Sequence, residues 1–227
     1  MTVKRKPLII VGDSAFAEVA FEYFSCDSEY EVVAFSVEKK FLTKSSLCDL
    51  PIVAFEDLAN IYNPDDYHVY VAVTYGSLNR VRARLVAEVK DAGFSLASYV
   101  SSRAHVWRNA NIGEHCFIFE ENVVQPFVKI GNNVVIWSGN HIGHHSLIED
   151  NCFIASHVVI SGYSVIGKNS FLGVNSTISN NVTVAHDNWI GPSVTISADT
   201  NPGDMYRAHE FKPTRVSAYR FFRIKNA

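Results

Sequence analysis

The fold of this chain is decided by residues 140–166, NHIGHHSLIEDNCFIASHVVISGYSVI, in which an isoleucine returns at every sixth position. These isoleucines are Ile142, Ile148, Ile154, Ile160 and Ile166. An α-helix has a period of 3.6 residues, and an ordinary strand is too short to sustain a period of six. A six-residue repeat is typical of a β-helix.

The repeat extends over seventeen positions. They are Val100, Val106, Ile112, Ile118, Val124, Ile130, Ile136, Ile142, Ile148, Ile154, Ile160, Ile166, Leu172, Ile178, Val184, Ile190 and Ile196. Each unit is expected to form one flat side and one corner, so that three units close a triangular turn and residues 18 apart stack. We predict a parallel β-helix of about five turns over residues 98–198, with the aliphatic side chains inside.

Residues 1–97 have a different pattern, in which short apolar runs alternate with helical segments. PLIIV (7–11), YEVVAF (30–35) and HVYVAV (68–73) read as strands, whereas AFAEVAFEYF (15–24) and the segment ending at Gly93 read as helices. Strands that alternate with helices indicate a parallel sheet with crossover helices. The predicted fold class is therefore an α/β Rossmann-like N-terminal domain followed by a β-helix.

The composition indicates a folded protein that acts on small molecules. The 227 residues are 48% hydrophobic, the formal net charge is -3 and the pI is about 6.3, which gives no general attraction to nucleic acid or to anionic membranes. No apolar stretch approaches the roughly 20 residues of a membrane-spanning helix. The four cysteines, Cys26, Cys48, Cys116 and Cys152, form no CxxC pair, so we expect reduced thiols and a cytoplasmic location.

The C-terminal extension, residues 199–227, breaks the repeat at Asn201-Pro202-Gly203. It is basic and aromatic, with Arg207, Lys212, Arg215, Arg220, Arg223 and Lys225. A short basic tail on an acidic protein favours a role in subunit packing, with contact to a phosphate group of a ligand as the alternative.

Four segments carry a resemblance to a known family: IVGDSAFAEVAFEYF, VAVTYGSLNRVRARL, NHIGHHSLIEDNCFIASHVVISG and IGKNSFLGVNSTISNNVTV. Together with the order of the domains, they resemble bacterial sugar acyltransferases of the sialic acid O-acetyltransferase type. That family includes acetyltransferases of nucleotide-linked 4-amino-4,6-dideoxy sugars. The resemblance implies a left-handed β-helix, a homotrimer with its active sites between subunits, acetyl-CoA as cosubstrate along the β-helix, and the nucleotide held by the N-terminal domain.

The same resemblance assigns the catalytic base to His144. An amine that attacks a thioester must lose a proton, and imidazole, with an ordinary pKa near 6.5, is suited to receive it. His145 stands where the family has an acidic residue, so Glu149 or Asp150 remain candidates for orienting His144, and His145 and His141 are supporting or surface residues. A solvent-facing His144 is the competing interpretation.

Gly162 matches the family's glycine at the acetyl group and follows His144 by one complete turn of the repeat, so we expect the two to be neighbours in adjacent turns. We expect no metal site, because adjacent residues of HIGHH point in different directions and acyl transfer needs no metal. His157 has no assigned role.

The candidate nucleotide-sugar site consists of two loops at the carboxyl end of the predicted sheet. Gly12, Asp13 and Ser14 open the first helix, where backbone amides attract anions, although a simple tight turn explains them equally well. In the later loop Tyr75 is a candidate for stacking on a base, and Asn79 and Arg82 for contacts to polar groups or phosphate. Arg82 as a solvated helix charge is the alternative.

These observations predict an acetyl-CoA-dependent N-acetyltransferase that acts on a UDP- or dTDP-linked amino-dideoxy sugar in surface polysaccharide biosynthesis. Acetylation of a sugar hydroxyl and transfer of a longer acyl group are the near alternatives. A non-catalytic hexapeptide-repeat protein, structural or ligand-binding, is the alternative of another class. The N-terminal domain favours the enzyme, since a purely structural β-helix does not need it.

Overall fold

The N-terminal unit is a six-stranded sheet with helices. The computed structural model describes residues 5–208 and 215–222. The strands are β1 (Lys6–Val11), β2 (Tyr30–Val37), β3 (Ser46–Leu47), β4 (Leu50–Ala54), β5 (His68–Val71) and β6 (Ser95–Leu96), and their order in the sheet is β3-β4-β2-β1-β5-β6. All neighbouring strands are parallel except β3 and β4.

Three helices connect these strands: α1 (Ala15–Cys26), α2 (Leu58–Ile61) and α3 (Arg80–Asp91). Short 3-10 turns lie at Lys39–Phe41 and Phe55–Asp57. The predicted strands and both long helices are present within a few residues of the expected bounds. The largest difference is at the start of α3, which begins at Arg80 because Ser77, Leu78 and Asn79 all have left-handed φ angles, from 48° to 64°.

Residues 99–196 form the β-helix, in which two-residue strands stack as three parallel faces. The first face contains β7 (Tyr99–Val100), β10 (Phe117–Ile118), β13 (Val135–Ile136), β16 (Phe153–Ile154), β19 (Phe171–Leu172), β22 (Trp189–Ile190) and β24 (Met205–Tyr206). The second contains β8 (His105–Val106), β11 (Val123–Val124), β14 (His141–Ile142), β17 (Val159–Ile160), β20 (Thr177–Ile178) and β23 (Thr195–Ile196). The third contains β9 (Asn111–Ile112), β12 (Lys129–Ile130), β15 (Leu147–Ile148), β18 (Val165–Ile166) and β21 (Thr183–Val184).

The predicted stacking of successive turns is confirmed throughout. Ile142 pairs with Val124 on one side and with Ile160 on the other, and all three side chains are fully buried. The period-six aliphatics from Val106 to Ile196 form one continuous core along the axis, and burial of one such side chain contributes roughly 1.5–3 kcal/mol. Val100, at the end of the β-helix, is 40% exposed, so its predicted inward position is wrong.

The backbone conformation at the corners of the β-helix accounts for the types of residue found between the strands. The last residue of each corner repeats a left-handed φ every six positions, as in Phe127 (65°), His145 (59°) and Tyr163 (57°). The side chains of Phe127, His145 and Tyr163 are exposed and stack on one another in successive turns, whereas His115 and Asn133, at equivalent positions of another corner, are buried. Asn, which tolerates this conformation, occupies many of the remaining corners.

The N-terminal unit packs on the first face of the β-helix. Phe16 and Phe24 of α1 contact Phe117 with ring centroids 5.9 and 5.5 Å apart, and Tyr70 of β5 lies 5.2 Å from the same ring. These aromatic side chains belong to one buried cluster that joins the sheet to the β-helix.

In the described ranges, 5–208 and 215–222, no helix is both long and apolar enough to cross a membrane. The four cysteines are free thiols, and Cys116 and Cys152 are buried inside the β-helix. In the C-terminal extension a short helix, α4, covers Ala218–Phe221. The cations at Lys212, Arg223 and Lys225 lie outside the described residues.

Candidate active site

His144 lies at the corner between β14 and β15, which we call the His144 corner (residues 143–145 with 125–127 and 161–163 in the adjacent turns). This corner joins the second and third faces, so it is opposite the first face, which the N-terminal unit covers. The His144 backbone N–H donates to Gln125 Oε1 at 2.9 Å. The residue is exposed on the surface of the single chain.

The His144 ring lies directly on Gly162, as the repeat predicts for residues one complete turn apart. A Cβ added to Gly162 would be 2.8 Å from Cε1 and 2.9 Å from Nε2 of His144, a distance that real side chains essentially never adopt. The imidazole of His144 can occupy this position because residue 162 has no side chain. Among the described residues, the Gly162 amide N–H has no hydrogen-bond acceptor.

The side-chain partner of His144 is His145. The two Nδ1 atoms are 3.1 Å apart, and the rings are nearly perpendicular at 88°. His145 is itself held between two aromatic rings, Phe127 at 4.5 Å and Tyr163 at 4.8 Å. Since these residues occupy the same place in successive turns, they form a continuous column of rings along the corner.

The prediction that Glu149 or Asp150 orients His144 is wrong. Glu149 Oε2 accepts the Lys168 backbone N–H at 2.9 Å, and Asp150 Oδ1 accepts that of Asn132 at 2.6 Å. Both carboxylates are engaged at the next corner of the triangle, on the far side of β15 from His144, where they join adjacent turns.

The other histidines of the region lie apart from His144. His141 is on β14, in the outward column of the second face. His157 is at the corner that follows the first face, where its ring covers Gly139, at 2.7 Å from the position of an added Cβ. Among the described residues no three His, Cys, Asp or Glu side chains converge as metal ligands.

The Gly12 loop borders a cavity of about 240 Å³ at the carboxyl end of the sheet. Gly12 has a φ of +131°, and an added Cβ would be 2.7 Å from the Ala72 carbonyl oxygen, so the close approach of β1 to β5 requires glycine. Asp13, Ser14 and Thr74 also line this cavity. The Ser14 side chain makes no capping hydrogen bond to α1, which leaves its hydroxyl available.

Tyr75 belongs to a second, adjacent cavity of about 350 Å³ between the sheet and the first face. Its ring lies 4.5 Å from Phe171 and 5.1 Å from Phe153, and 46% of the residue is exposed. Thr74 lines both cavities, so the two are adjacent, and we call them together the groove.

Asn79 and Arg82 do not belong to this groove, and the prediction that they bind the nucleotide sugar is wrong. Both are completely buried where α3 meets the β-helix. Asn79 Nδ2 donates to the carbonyls of Asn169 (3.2 Å) and Ser170 (3.4 Å). A side chain without exposed surface has no access to a ligand, and the same fact excludes the solvated helix charge as an explanation of Arg82.

Arg82 instead satisfies backbone carbonyls at a β-helix corner. Its guanidinium donates to the carbonyls of Asn133 (3.2 Å), Cys152 (3.3 Å) and Val73 (3.2 Å), and Nε donates to Asn133 Oδ1 at 2.9 Å. Burial lowers the pKa of Arg82 to about 10, which still leaves it charged at neutral pH. Oxygen dipoles, rather than a carboxylate, compensate this buried cation.

A single chain does not bring the two halves of the predicted site together. The hydrogen bonds and ring contacts of His144 in the described part of the chain are all with residues of the His144 corner. The groove at Gly12 and Tyr75 opens beside the first face, across the triangle. Gln125, Phe127 and Tyr163 were not predicted to belong to the site. Each lies about one turn of the repeat before or after His144 or His145, and that spacing could have indicated them.

Comparisons with known proteins agree with this architecture. The bacterial transferase hexapeptide model (six repeats) matches residues 109–144 and 127–162. No curated protein matched the sequence. The acetyltransferase domain of PglB from Neisseria gonorrhoeae superposes with a TM-score of 0.80 at 23% identity, over 88% of this chain and 96% of that domain.

Two further solved structures share the fold. A mutant of perosamine N-acetyltransferase from Caulobacter crescentus, in complex with CoA and GDP-perosamine, has a TM-score of 0.80 at 21% identity and covers 88% of this chain and 92% of its own. WeeI from Acinetobacter baumannii has a TM-score of 0.63 at 18% identity, over 85% and 94%. The chain thus combines hexapeptide repeats with the fold of acetyltransferases of this type.

Proposed function

We propose that this protein is an acetyl-CoA-dependent N-acetyltransferase that acts on the amino group of a nucleotide-linked amino-dideoxy sugar, with His144 as general base. The observation that carries the proposal is the contact of His144 with Gly162, which places a basic ring nitrogen beside a backbone amide without an internal acceptor. Acyl transfer needs both groups: one to remove a proton from the nucleophile and one to stabilise the oxygen of the attacked carbonyl.

In the proposed reaction the sugar amine attacks the carbonyl carbon of the thioester. His144 Nε2 receives the proton of the amine as the new C–N bond forms, and the Gly162 N–H donates to the carbonyl oxygen while negative charge develops there. When the C–S bond breaks, the proton passes to the leaving thiolate. A positioned base contributes about 10²- to 10⁴-fold to such a step.

The proposal includes a homotrimer, because His144 and the sugar groove lie on opposite sides of one β-helix. A neighbouring subunit supplies the missing half of each site, as closed three-fold symmetry allows. We further propose that the β-helix is left-handed, that the N-terminal unit is Rossmann-like, and that the protein works in the cytoplasm, in surface polysaccharide biosynthesis.

The nucleotide sugar is assigned to the groove formed by Gly12, Asp13, Ser14, Thr74 and Tyr75. The open amide groups at the start of α1 suit a phosphate, and the half-exposed ring of Tyr75 suits a base or an apolar sugar face. The Caulobacter enzyme was crystallised with GDP-perosamine, so a guanosine nucleotide joins UDP and dTDP as a candidate.

The test is a panel of UDP-, dTDP- and GDP-linked 4-amino and 3-amino sugars, with the corresponding hydroxy sugars included. We expect thiol release from acetyl-CoA with an amino sugar, and a product heavier by one acetyl group at nitrogen. Transfer only to a hydroxyl would assign the protein to O-acetylation. If the folded protein releases no thiol from acetyl-CoA with any sugar of the panel, the non-catalytic alternative is supported.

A further inference from the structure

His145 occupies the position at which the proposed base needs a hydrogen-bond partner, and its Nδ1 lies 3.1 Å from that of His144. We propose that His145 is a positioning residue that accepts the Nδ1 proton of His144 and shares the positive charge formed during acyl transfer. This inference rests on the proposed function for the role of His144. It assigns to an imidazole, held between two aromatic rings, the task that a carboxylate performs in many histidine-dependent enzymes.

The tautomers of the pair follow from the contact. A hydrogen bond between two Nδ1 atoms requires one donor and one acceptor. If His145 donated, the proton of a neutral His144 would sit on Nε2, the atom that has to receive the proton of the amine. In the working state His144 therefore donates from Nδ1, and His145 accepts at Nδ1 and carries its own proton on Nε2.

The surroundings of His145 hold it in place for this contact. Its backbone N–H donates to the Pro126 carbonyl at 3.1 Å, and its φ of +59° is that of the repeated corner. The ring is stacked on Phe127 with an interplanar angle of 29° and on Tyr163 with one of 15°. The faces of both rings attract a cation by roughly 0.5–2 kcal/mol. The column thus fixes the orientation of the imidazole.

The proton balance of the transfer is complete without a carboxylate. One amine proton goes to His144 Nε2 as the C–N bond forms, and the Nδ1 proton of His144 moves towards His145, so that the charge is distributed over two rings. When the C–S bond breaks, these shifts reverse and His144 Nε2 returns one proton to the thiolate. Both histidines end neutral.

The groups that face the pair are almost all uncharged. Tyr163 provides the only other titratable side chain in contact with either ring, in the part of the chain that the structure describes. The neighbours on adjacent turns are Gln125, Pro126, Phe127, Gly162 and Tyr163, and beyond Pro126 the column continues with Arg108. Two imidazoles are therefore in contact there without a carboxylate, and we expect the acid limb of activity to report the pair rather than one residue.

The test compares the pH–rate profile of the wild type with His145→Ala and His145→Glu. Glutamate is compatible with the corner, since Glu121 has the equivalent left-handed φ of 57°. We expect His145→Ala to lower kcat by about 10- to 100-fold with little change in KM for the sugar, as part of the roughly 10²- to 10⁴-fold contribution of the base. His145→Glu should restore most of kcat and move the acid limb of kcat/KM upwards by about one pH unit, because an adjacent carboxylate raises the pKa of an imidazole.

A purely structural role of His145 would change stability without moving the pH profile. Wild-type kcat in His145→Ala, or superimposable profiles for wild type and His145→Glu, would overturn the proposal. His157→Ala, which removes a histidine from another corner of the β-helix, is the matched control and should retain kcat, whereas Tyr163→Ala, which removes one of the rings against His145, should lower it.

A second measurement does not depend on activity. In ¹⁵N-histidine NMR spectra, the Nδ1 signals of His144 and His145 should titrate as a coupled pair, and His145→Ala should abolish the biphasic titration of His144. If the substrate panel is silent, the proposed function fails while this coupling still tests the pair. Independent, single-step titrations of both residues would refute the pairing itself.

Discussion

Arg82 Nε lies 2.9 Å from Asn133 Oδ1, and this hydrogen bond ties helix α3 to a corner of the β-helix. The same amide is 2.9 Å from His115 Nδ1, whose Nε2 accepts the Val71 backbone N–H at 2.8 Å. One buried polar network thus connects the sheet, helix α3 and the β-helix. It fixes the orientation of the groove relative to the coil that carries His144.

Replacement of Arg82 by Met should lower the free energy of unfolding by about 3 kcal/mol, because several buried carbonyls lose their donor at once. Urea denaturation measures this. Arg84→Met on the same helix is the control: the Arg84 side chain, which pairs with Glu38 and Glu88, is 44% exposed, so the expected loss is below about 1 kcal/mol. Equal losses for the two variants would contradict the role assigned to Arg82.

His115 makes stability depend on pH. Burial lowers the pKa of His115 to about 3, whereas in the unfolded chain it is near the ordinary value of 6.5. Between these values the unfolded state binds more protons, so stability is lost as the pH falls from 6.5 towards 3, by about 1.4 kcal/mol per pH unit. Urea titrations at several pH values should show this slope in the wild type and in the exposed control His157→Gln, but less steeply in His115→Gln. Parallel slopes in all three would refute the assignment.

Gly162→Ala should impair acetyl transfer without unfolding the protein. The new Cβ would be 2.8 Å from His144 Cε1, so the imidazole must move, while the backbone of Gly162 lies outside the left-handed region and accepts alanine. We expect kcat to fall by about 10-fold or more, since a positioned base contributes about 10²- to 10⁴-fold. Ser161→Ala in the same turn should leave kcat near that of the wild type. An unchanged kcat in Gly162→Ala would show that the reaction does not depend on the position of the His144 ring.

Mixed trimers test whether the active site is shared between subunits. Asp13→Arg blocks the groove and His144→Ala removes the base, so each homotrimer should be inactive. When the two variants mix randomly in equal amounts, about one quarter of the interfaces in a three-fold ring have an intact groove beside an intact His144. The mixed trimers should therefore recover about one quarter of the wild-type activity. Persistent inactivity of co-expressed, co-purified mixed trimers would contradict the shared site.

The β-helix was predictable because its six-residue period can be read directly from the positions of the aliphatic residues in the sequence. One inward aliphatic in every six determines which residues stack, and the proximity of His144 and Gly162 follows directly. The roles of Asn79 and Arg82 were not predictable, because the three left-handed residues before α3 turn these side chains towards the β-helix, and no local pattern signals that turn. The role of His145 was left open between a supporting and a surface residue: the family resemblance suggested a carboxylate as the partner of His144, whereas the corner geometry places His145 there.

The most direct measurement of the central claim is the steady-state kinetics of His144→Ala with acetyl-CoA and the nucleotide amino sugar that the panel identifies. We expect kcat to fall by about 10²- to 10⁴-fold while the Kd for acetyl-CoA remains within about twofold of the wild type. His157→Ala, the exposed control on another corner, should retain kcat. Wild-type turnover in His144→Ala, or a comparable loss in His157→Ala, would contradict the account.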